Sequence, residues 1–336
     1  MSVAATGMAL AALFFTAQQA IAQTPVRFSL DWRWEGPAAP FAVALDKGYF
    51  KEEGLDVTIE PGAGSREPIT RVSSGSFDAG IADINSLVRF RDENAGSDIK
   101  AVMMIHDRPP FAIIGRKSRG VTKELSSLQS KKFGAPAGDG AYAQWPVFKA
   151  LNKIDDASMK FENVGFPVRE PMLAQGEVDA VFGFAMSSYI NLKSRGVPAD
   201  DIIVILMSDH GLDLYGNAIV VSPEFAAKPE AVKGMLRAIM KGVQDTIKDP
   251  SAAVDSVIKR NGIAKKEVEL ERLKMALDQN MLTPWVKSNG FGGIDKERFS
   301  KALDQIGEAF TYKKKPAAED VFVETYLPGA DARKID

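Results

Sequence analysis

Trp32, Trp34 and Glu35 stand in "SLDWRWEGPAAPF", Ser29 to Phe41, where a short apolar run gives way to a Gly-Pro-Ala-Ala-Pro stretch. The chain has four tryptophans, so half of them occupy this one loop. Aromatic faces at a loop suit stacking on a flat or apolar ligand, and a carboxylate beside them fixes its orientation. The alternative for each Trp is a plug that closes the hydrophobic core under the loop. A second group is "GAGSREP". Gly62 and Gly64 allow close backbone approach, Ser65 can cap a helix, and free N–H groups at a helix start favour an anion or a ligand oxygen. Arg66 adds a fork of donors suited to a carboxylate or sulfonate, or else pairs with Glu67 on the surface. "ADINS" brings Asp83, Asn85 and Ser86 to another helix start, where capping is the commoner role for an Asp. Asp107 and Arg108 follow a further strand, as a hinge ion pair or as a ligand contact. Asp31 opens the Trp loop itself.

Catalytic arrangements are scarce. The chain has no cysteine, which excludes disulfides, thiolate metal sites and cysteine nucleophiles. Its two histidines, His106 and His210, form no H-E-x-x-H, and there is no G-x-S-x-G. His106 reads as a polar residue at a strand end. "APAGDGAYAQW" is a Gly-rich turn into a helix but lacks the G-x-x-x-x-G-K-[ST] of a phosphate-binding loop.

The elements that must carry these residues follow from periodicity. From Val26 to Ile105 strand-like runs ("VRFSL", "LDVTIEP", "FDAGIAD", "IKAVMMI") alternate with helical ones ("AAPFAVALDKGYFKEEG", "EPITRVSSG", "INSLVRFRDEN"). The alternation resumes after "HDRPP" and runs through "FAIIGRK", "KKFGAP", "MKFENVG", "VDAVFGF", "DIIVIL" and "GNAIVVS". This spacing predicts parallel βαβ units. Beyond Lys228 nearly everything reads as amphipathic helix. "REPITRVSSGSFDAG" at Arg66 is echoed by "REPMLAQGEVDAVFG" at Arg169, each with a helix expected to start near its Pro and a strand at Asp-Ala. The echo predicts paired α/β halves, and the helical tail a chain that crosses to a second domain and returns.

Length and charge agree. The 336 residues suffice for about two domains at ~150 residues each. A net charge of −2 offers no general attraction to nucleic acid or an anionic membrane. The first 22 residues carry no charge, have an apolar centre from Met8 to Phe15 and end in Ala20-Ile21-Ala22. They read as a secretory signal peptide without a basic leading segment. The apolar run is shorter than the roughly 20 residues that span a bilayer.

"LDW…PFAVALDKGYFKEEGLDVTIEPGAGS", with "SSGSFDAGIADINSLV", "LQSKKFGAP", "GEVDAVFGF" and "NAIVVSPEFAAKPEAVKGMLRAIMKG", resembles the periplasmic solute-binding proteins of ABC importers. The nearest branch is that related to sulfonate-, nitrate- and thiamine-precursor-binding proteins. The segment Ala44 to Val57 is the most specific piece, and the resemblance extends from about Arg27 to Lys248. It implies an α/β periplasmic binding protein fold of type II: two βαβ lobes joined by two crossing strands, with a helical C-terminal part. One lobe would hold 24–107 and 217–336, the other 108–216, after a signal peptide at 1–22. It implies a monomer in the periplasm that holds one small solute in the cleft and delivers it to a membrane permease, with no cofactor or metal. By the same resemblance Gly138, Asp139, Gly140 and Tyr142 sit where the family grips its ligand. Phe166, Phe184 and Tyr189 could add walls.

The thiamine-precursor branch tends to carry a Trp and a Glu after the strand matching "VDAVFGF". Here Phe184-Ala185-Met186-Ser187-Ser188 stands instead, which weighs against an aminopyrimidine. The aromatics, Arg66 and the Gly-Ser turns fit a small organic anion or a flat heteroaromatic about equally. The alternative function is an enzyme of the same fold acting on a pyrimidine-like or menaquinone-precursor substrate.

Overall fold

The computed structural model describes residues 23–335. The expected export segment, 1–22, lies outside them. Among the described residues no helix is long and apolar enough to cross a membrane.

Among the described residues ten strands occur in chain order: β1 (Thr24–Ser29), β2 (Leu55–Glu60), β3 (Ala79–Asp83), β4 (Lys100–Met104), β5 (Phe111–Arg116), β6 (Lys132–Gly134), β7 (Lys160–Glu162), β8 (Ala180–Phe184), β9 (Ile202–Leu206) and β10 (Asn217–Val221). They form two five-stranded sheets, ordered β2-β1-β3-β10-β4 and β7-β6-β8-β5-β9. The expected βαβ pattern holds for β1, β2 and β3 and for β6, β7 and β8, which pair in parallel. Each sheet also contains one strand antiparallel to both neighbours, β10 in the first and β5 in the second, so both sheets are mixed. These are the two strands that arrive from the opposite lobe. A strand entering from the cleft must run against strands that end there. β3, β5 and β10 are buried almost throughout, as strands covered on both faces require.

The first lobe carries α1 (Ala39–Asp46), α2 (Tyr49–Glu52), α3 (Glu67–Ser73) and α4 (Ile84–Glu93). The second carries α5 (Gly140–Ala143), α6 (Trp145–Leu151), α7 (Phe166–Gln175) and α8 (Ala185–Ser194). The Arg-Glu-Pro echo is only partly reproduced. Pro68 sits in the first turn of α3, whereas α7 begins at Phe166 and holds Pro171 in its interior.

The chain returns through β10 into α9 (Pro223–Ala226), α10 (Pro229–Lys248), α11 (Pro250–Ile258), α12 (Lys266–Ala276), α13 (Pro284–Asn289) and α14 (Lys296–Gly307). α10 buries Val232, Met235, Leu236, Ile239, Met240 and Val243, a three-and-four spacing that makes one apolar face. That face packs on α1 so closely that a Cβ on Gly242 would stand 2.1 Å from the Pro40 carbonyl oxygen. Gly242→Ala is therefore expected to cost about 1–3 kcal/mol by forcing the helices apart, read as a lower urea midpoint.

The crossing segments run side by side. His106 N–H donates to the Asn217 carbonyl at 3.0 Å, and Gly216 N–H to the His106 carbonyl at 2.9 Å. The lobes are in contact. Arg66 Nη1 donates to Ala137 O at 3.0 Å, Gln144 Nε2 to Asp83 Oδ2 at 2.9 Å, and Arg89 Nη1 to Ala143 O at 2.7 Å.

Candidate functional site

The parallel strands of both sheets point their carboxyl ends at the gap between the lobes, where open α/β sheets place ligands. After β1, the chain holds Asp31 and Trp32 against the end of β2: Gly64 N–H donates to Asp31 O at 2.9 Å and Gly62 N–H to Trp32 O at 3.1 Å. Ser65 precedes α3. From the other lobe, Asp139 and Gly140 open α5, Phe166 opens α7, and Phe184 and Ser187 lie at the join of β8 and α8. These residues line one cavity of about 670 Å³, counting the part open to solvent.

Aromatic rings supply its walls. Trp32 from one lobe meets Phe166 from the other, with ring centroids 4.8 Å apart at 65°. His106 and Phe184 lie edge to face at 6.1 Å. Four buried polar atoms of this lining have no protein hydrogen-bond partner: Trp32 Nε1, Glu35 Oε2, Ser65 Oγ and His106 Nδ1. Buried polar groups are normally paired, so four unpaired ones around one space mark it as a place for a polar ligand.

Charge is arranged unevenly. Burial pushes the Asp31 carboxyl up to about 7, helped by the charge of Glu35, although Asn217 Nδ2 donates to it at 2.8 Å. Asp31 retains partial exposure because it faces the cavity. Burial also raises Glu35, working against the guanidinium of Arg272, and Glu269 adds to the rise. Burial lowers His106 to about 4, so the imidazole is neutral at ordinary pH. Across the cavity Arg169 is 3% exposed and fully engaged. Its Nη1 donates to Asp139 Oδ2 at 2.8 Å, and its Nε and Nη2 donate to Glu170 Oε1 at 2.9 and 2.7 Å. Ser188 Oγ donates to the same Glu170 oxygen at 2.8 Å. Burial raises Asp139, while Arg169 opposes the rise.

Of the residues singled out in the sequence, Trp32, Glu35, Gly64, Ser65, Asp139, Gly140 and Phe184 meet in this cavity. The others lie elsewhere. Trp34 does not share the aromatic wall; it is 9% exposed in the core of the first lobe, with the Arg260 guanidinium 5.2 Å from its ring centroid. Asp83 caps α4 and bonds Gln144, and Asn85 bonds Asp83 and the Tyr215 carbonyl. Arg66 spans to Ala137, and Gly138 abuts Gly64 at the same junction. Tyr142 packs on Phe182, with centroids 5.1 Å apart. Asp107 accepts from Thr283 Oγ1 at 2.5 Å, and Arg108 donates to Ser208 and Asp209, so both tie the crossing segment down.

Asp31, His106, Phe166 and Arg169 line the cavity but were not among the sequence's leading candidates. Asp31 was noted as the residue that opens the Trp loop, Phe166 was named as a possible wall, and Arg169 begins the second copy of the Arg-Glu-Pro echo. His106 carried no sequence signal beyond its place at a strand end.

A family model described as NMT1/THI5 like matches residues 37–253. The chain belongs to the NMT1/THI5-like family. Within reach of this family's members, it is 25% identical over 302 residues to the riboflavin-binding protein RibY of Chloroflexus aurantiacus, covering 87% of this chain and 82% of that one. It is 25% identical over 327 residues to the formylaminopyrimidine-binding protein of Halalkalibacterium halodurans, covering 91% and 92%. A third relative, 22% identical over 282 residues with coverage of 80% and 81%, is the 4-amino-5-hydroxymethyl-2-methylpyrimidine phosphate synthase of Aspergillus parasiticus. Among solved structures, the alkanesulfonate-binding protein SsuA of Xanthomonas axonopodis pv. citri, bound to MOPS, superposes with a TM-score of 0.68 at 14% identity, covering 90% of this chain and 99% of that one. The ligand-binding component of an ABC-type import system from Staphylococcus aureus gives 0.68 at 13%, covering 92% and 99%. These neighbours confirm the two-lobed periplasmic binding protein fold.

Proposed function

We propose that this NMT1/THI5-like chain is the extracytoplasmic solute-binding component of an ABC importer, and that its solute is a flat nitrogen heteroaromatic bearing an amino group. The observation that carries this is Glu35 Oε2, which has Arg272 Nε at 3.4 Å but no hydrogen-bond donor and is buried on the cavity wall that Asp31 and the Trp32–Phe166 pair also form. An amino or ring N–H donor answers the carboxylates, and the aromatic edges hold the ring. A sulfonate or carboxylate would instead face Asp31 and Glu35; of the two guanidiniums in the lining, Arg169 is already neutralised by Asp139 and Glu170, and Arg33 is exposed at the rim with its Cζ 5.1 Å from the Trp32 ring centroid. The lack of a Trp and Glu after β8 is offset by the acids that follow β1.

The test is titration of the full mature chain, followed by intrinsic fluorescence, with 4-aminopyrimidines, a formylaminopyrimidine, riboflavin, an alkanesulfonate and nitrate. Saturation by an aminopyrimidine without its conversion supports the reading. Tight binding of the sulfonate alone would replace it with the anion reading, and product formation would replace it with the enzyme reading. Trp32→Ala is expected to weaken binding by about 10-fold or more, on the scale of roughly 1–3 kcal/mol for stacking. Trp34→Ala is expected to spare affinity and to cost about 3–5 kcal/mol of stability, because its ring fills core.

A further inference from the structure

Arg272, on α12, is 2% exposed and reaches across the back of the cavity. Its Nε donates to Glu269 Oε2 at 3.0 Å. Its Nη1 donates to Ser187 O at 3.1 Å and its Nη2 to Asn191 Oδ1 at 3.1 Å, both on α8 of the other lobe. Glu269 Oε2 also accepts from Gly36 N–H at 2.7 Å, which ties α12 to the Trp loop. Glu35 Oε2 stands 3.4 Å from Arg272 Nε but receives no hydrogen bond. The guanidinium is thus committed to Glu269 and to the second lobe, and the cavity carboxylate is left short of a donor. The charged groups acting on Glu35 are Arg272, Glu269 and Arg33, with Asp31 beside it.

We propose that Arg272 is a positioning residue that couples Glu35 to lobe closure, so that satisfying or neutralising Glu35 favours the closed arrangement. This rests on the reading that a solute donates to Glu35. With the lobes in contact, a buried oxygen goes unpaired, a penalty that a donor removes. When the lobes part, the bonds to Ser187 and Asn191 break and the guanidinium can turn toward Glu35. A solute that supplies the missing donor therefore favours the closed form over the open one. That difference is what closure requires, since a ligand shifts an equilibrium only by its differential affinity for the two states. An exposed pair, Lys193 Nζ to Glu271 Oε1 at 2.6 Å, joins the same two helices but does not touch the cavity.

The experiment needs no ligand. The chain has no cysteine, so Lys51→Cys and Lys160→Cys, exposed in different lobes, can carry a fluorescent pair that reads the closed-to-open ratio of the full chain. Glu35→Gln, which neutralises the carboxyl, is expected to raise that ratio about tenfold. Asn191→Ala, which removes only the acceptor on α8, is expected to lower it about tenfold with an unchanged urea midpoint. In the Asn191→Ala background the Glu35→Gln effect is expected to shrink several-fold, because the two residues do not touch and communicate through Arg272. An unchanged ratio in Glu35→Gln, or equal effects in the two backgrounds, would overturn the proposal. Failure of every compound in the titration panel with the coupling intact would sink the solute reading alone. A merely structural Arg272 would move the urea midpoint and leave the effects multiplicative.

Discussion

Replacing Arg169 with methionine is expected to lower the unfolding free energy by about 3–5 kcal/mol, as much as emptying the core position of Trp34. The guanidinium is the cation between Asp139 and Glu170, which are 4% exposed each. Methionine fills similar volume but leaves two buried carboxylates facing one another. The loss should shrink as pH falls, because each stranded carboxyl can then take up a proton. Arg169→Met combined with Glu170→Gln should recover part of it, because one of the stranded charges goes with the cation. Urea midpoints of the single and double variants at pH 5 and pH 8 check both statements. A single variant as stable as the parent at pH 8 would contradict the buried charge network.

The second large effect is on pH dependence through Asp31. Burial raises its carboxyl from the ordinary 3.8 to about 7. A carboxyl raised in the folded state contributes stability that is complete below its unfolded value and is lost as pH climbs through about 7. Between pH 5 and pH 8 the protein should therefore lose about 2–3 kcal/mol from this group relative to Asp31→Asn, which cannot titrate. The comparison has to be made against that variant because His106 works in the opposite sense. Its value is lowered from 6.5 to about 4, so its contribution is present above 6.5 and is lost as pH falls through 4. Binding carries the same signature. A solute that donates to ionised Asp31 must displace its proton at low pH, so affinity should be about 100-fold weaker at pH 5 than at pH 8. The Asp31→Asn variant should show a shallower profile over that range, what remains belonging to Glu35, whose carboxyl burial also raises, and a wild-type profile no steeper than the variant's would remove Asp31 from ligand recognition.

Secondary structure was legible because its signals are local. The alternation of β-rich and amphipathic runs marked every strand from β1 to β10, and the three-and-four spacing of α10 marked its buried face. Strand direction was less legible. Nothing within "FAIIGRK" or "GNAIVVS" says that they run against their neighbours; that follows from the side on which the chain enters each sheet. The site divides in the same way. Residues that follow a strand could be enumerated, since ligands gather at carboxyl ends, and Trp32, Glu35 and Ser65 were found so, whereas Asp139 came from the family resemblance. Which of them face the cavity depends on contacts hundreds of residues away in the chain. Arg260 and Asn261 hold Trp34 in the core, while Phe166 faces Trp32.

By itself the sequence determined the fold class, the two crossings and the loops from which a site must be assembled, because hydrophobic period and turn residues act over a few positions. Only the tertiary structure decided that Trp32 and Trp34 part company, that His106 and Arg169 reach the cavity, and that Arg272 joins its back wall to both lobes. Those outcomes depend on burial and on which charges meet across the cleft. Burial and pairing arise only when distant segments are brought together, so no local window of residues carries them.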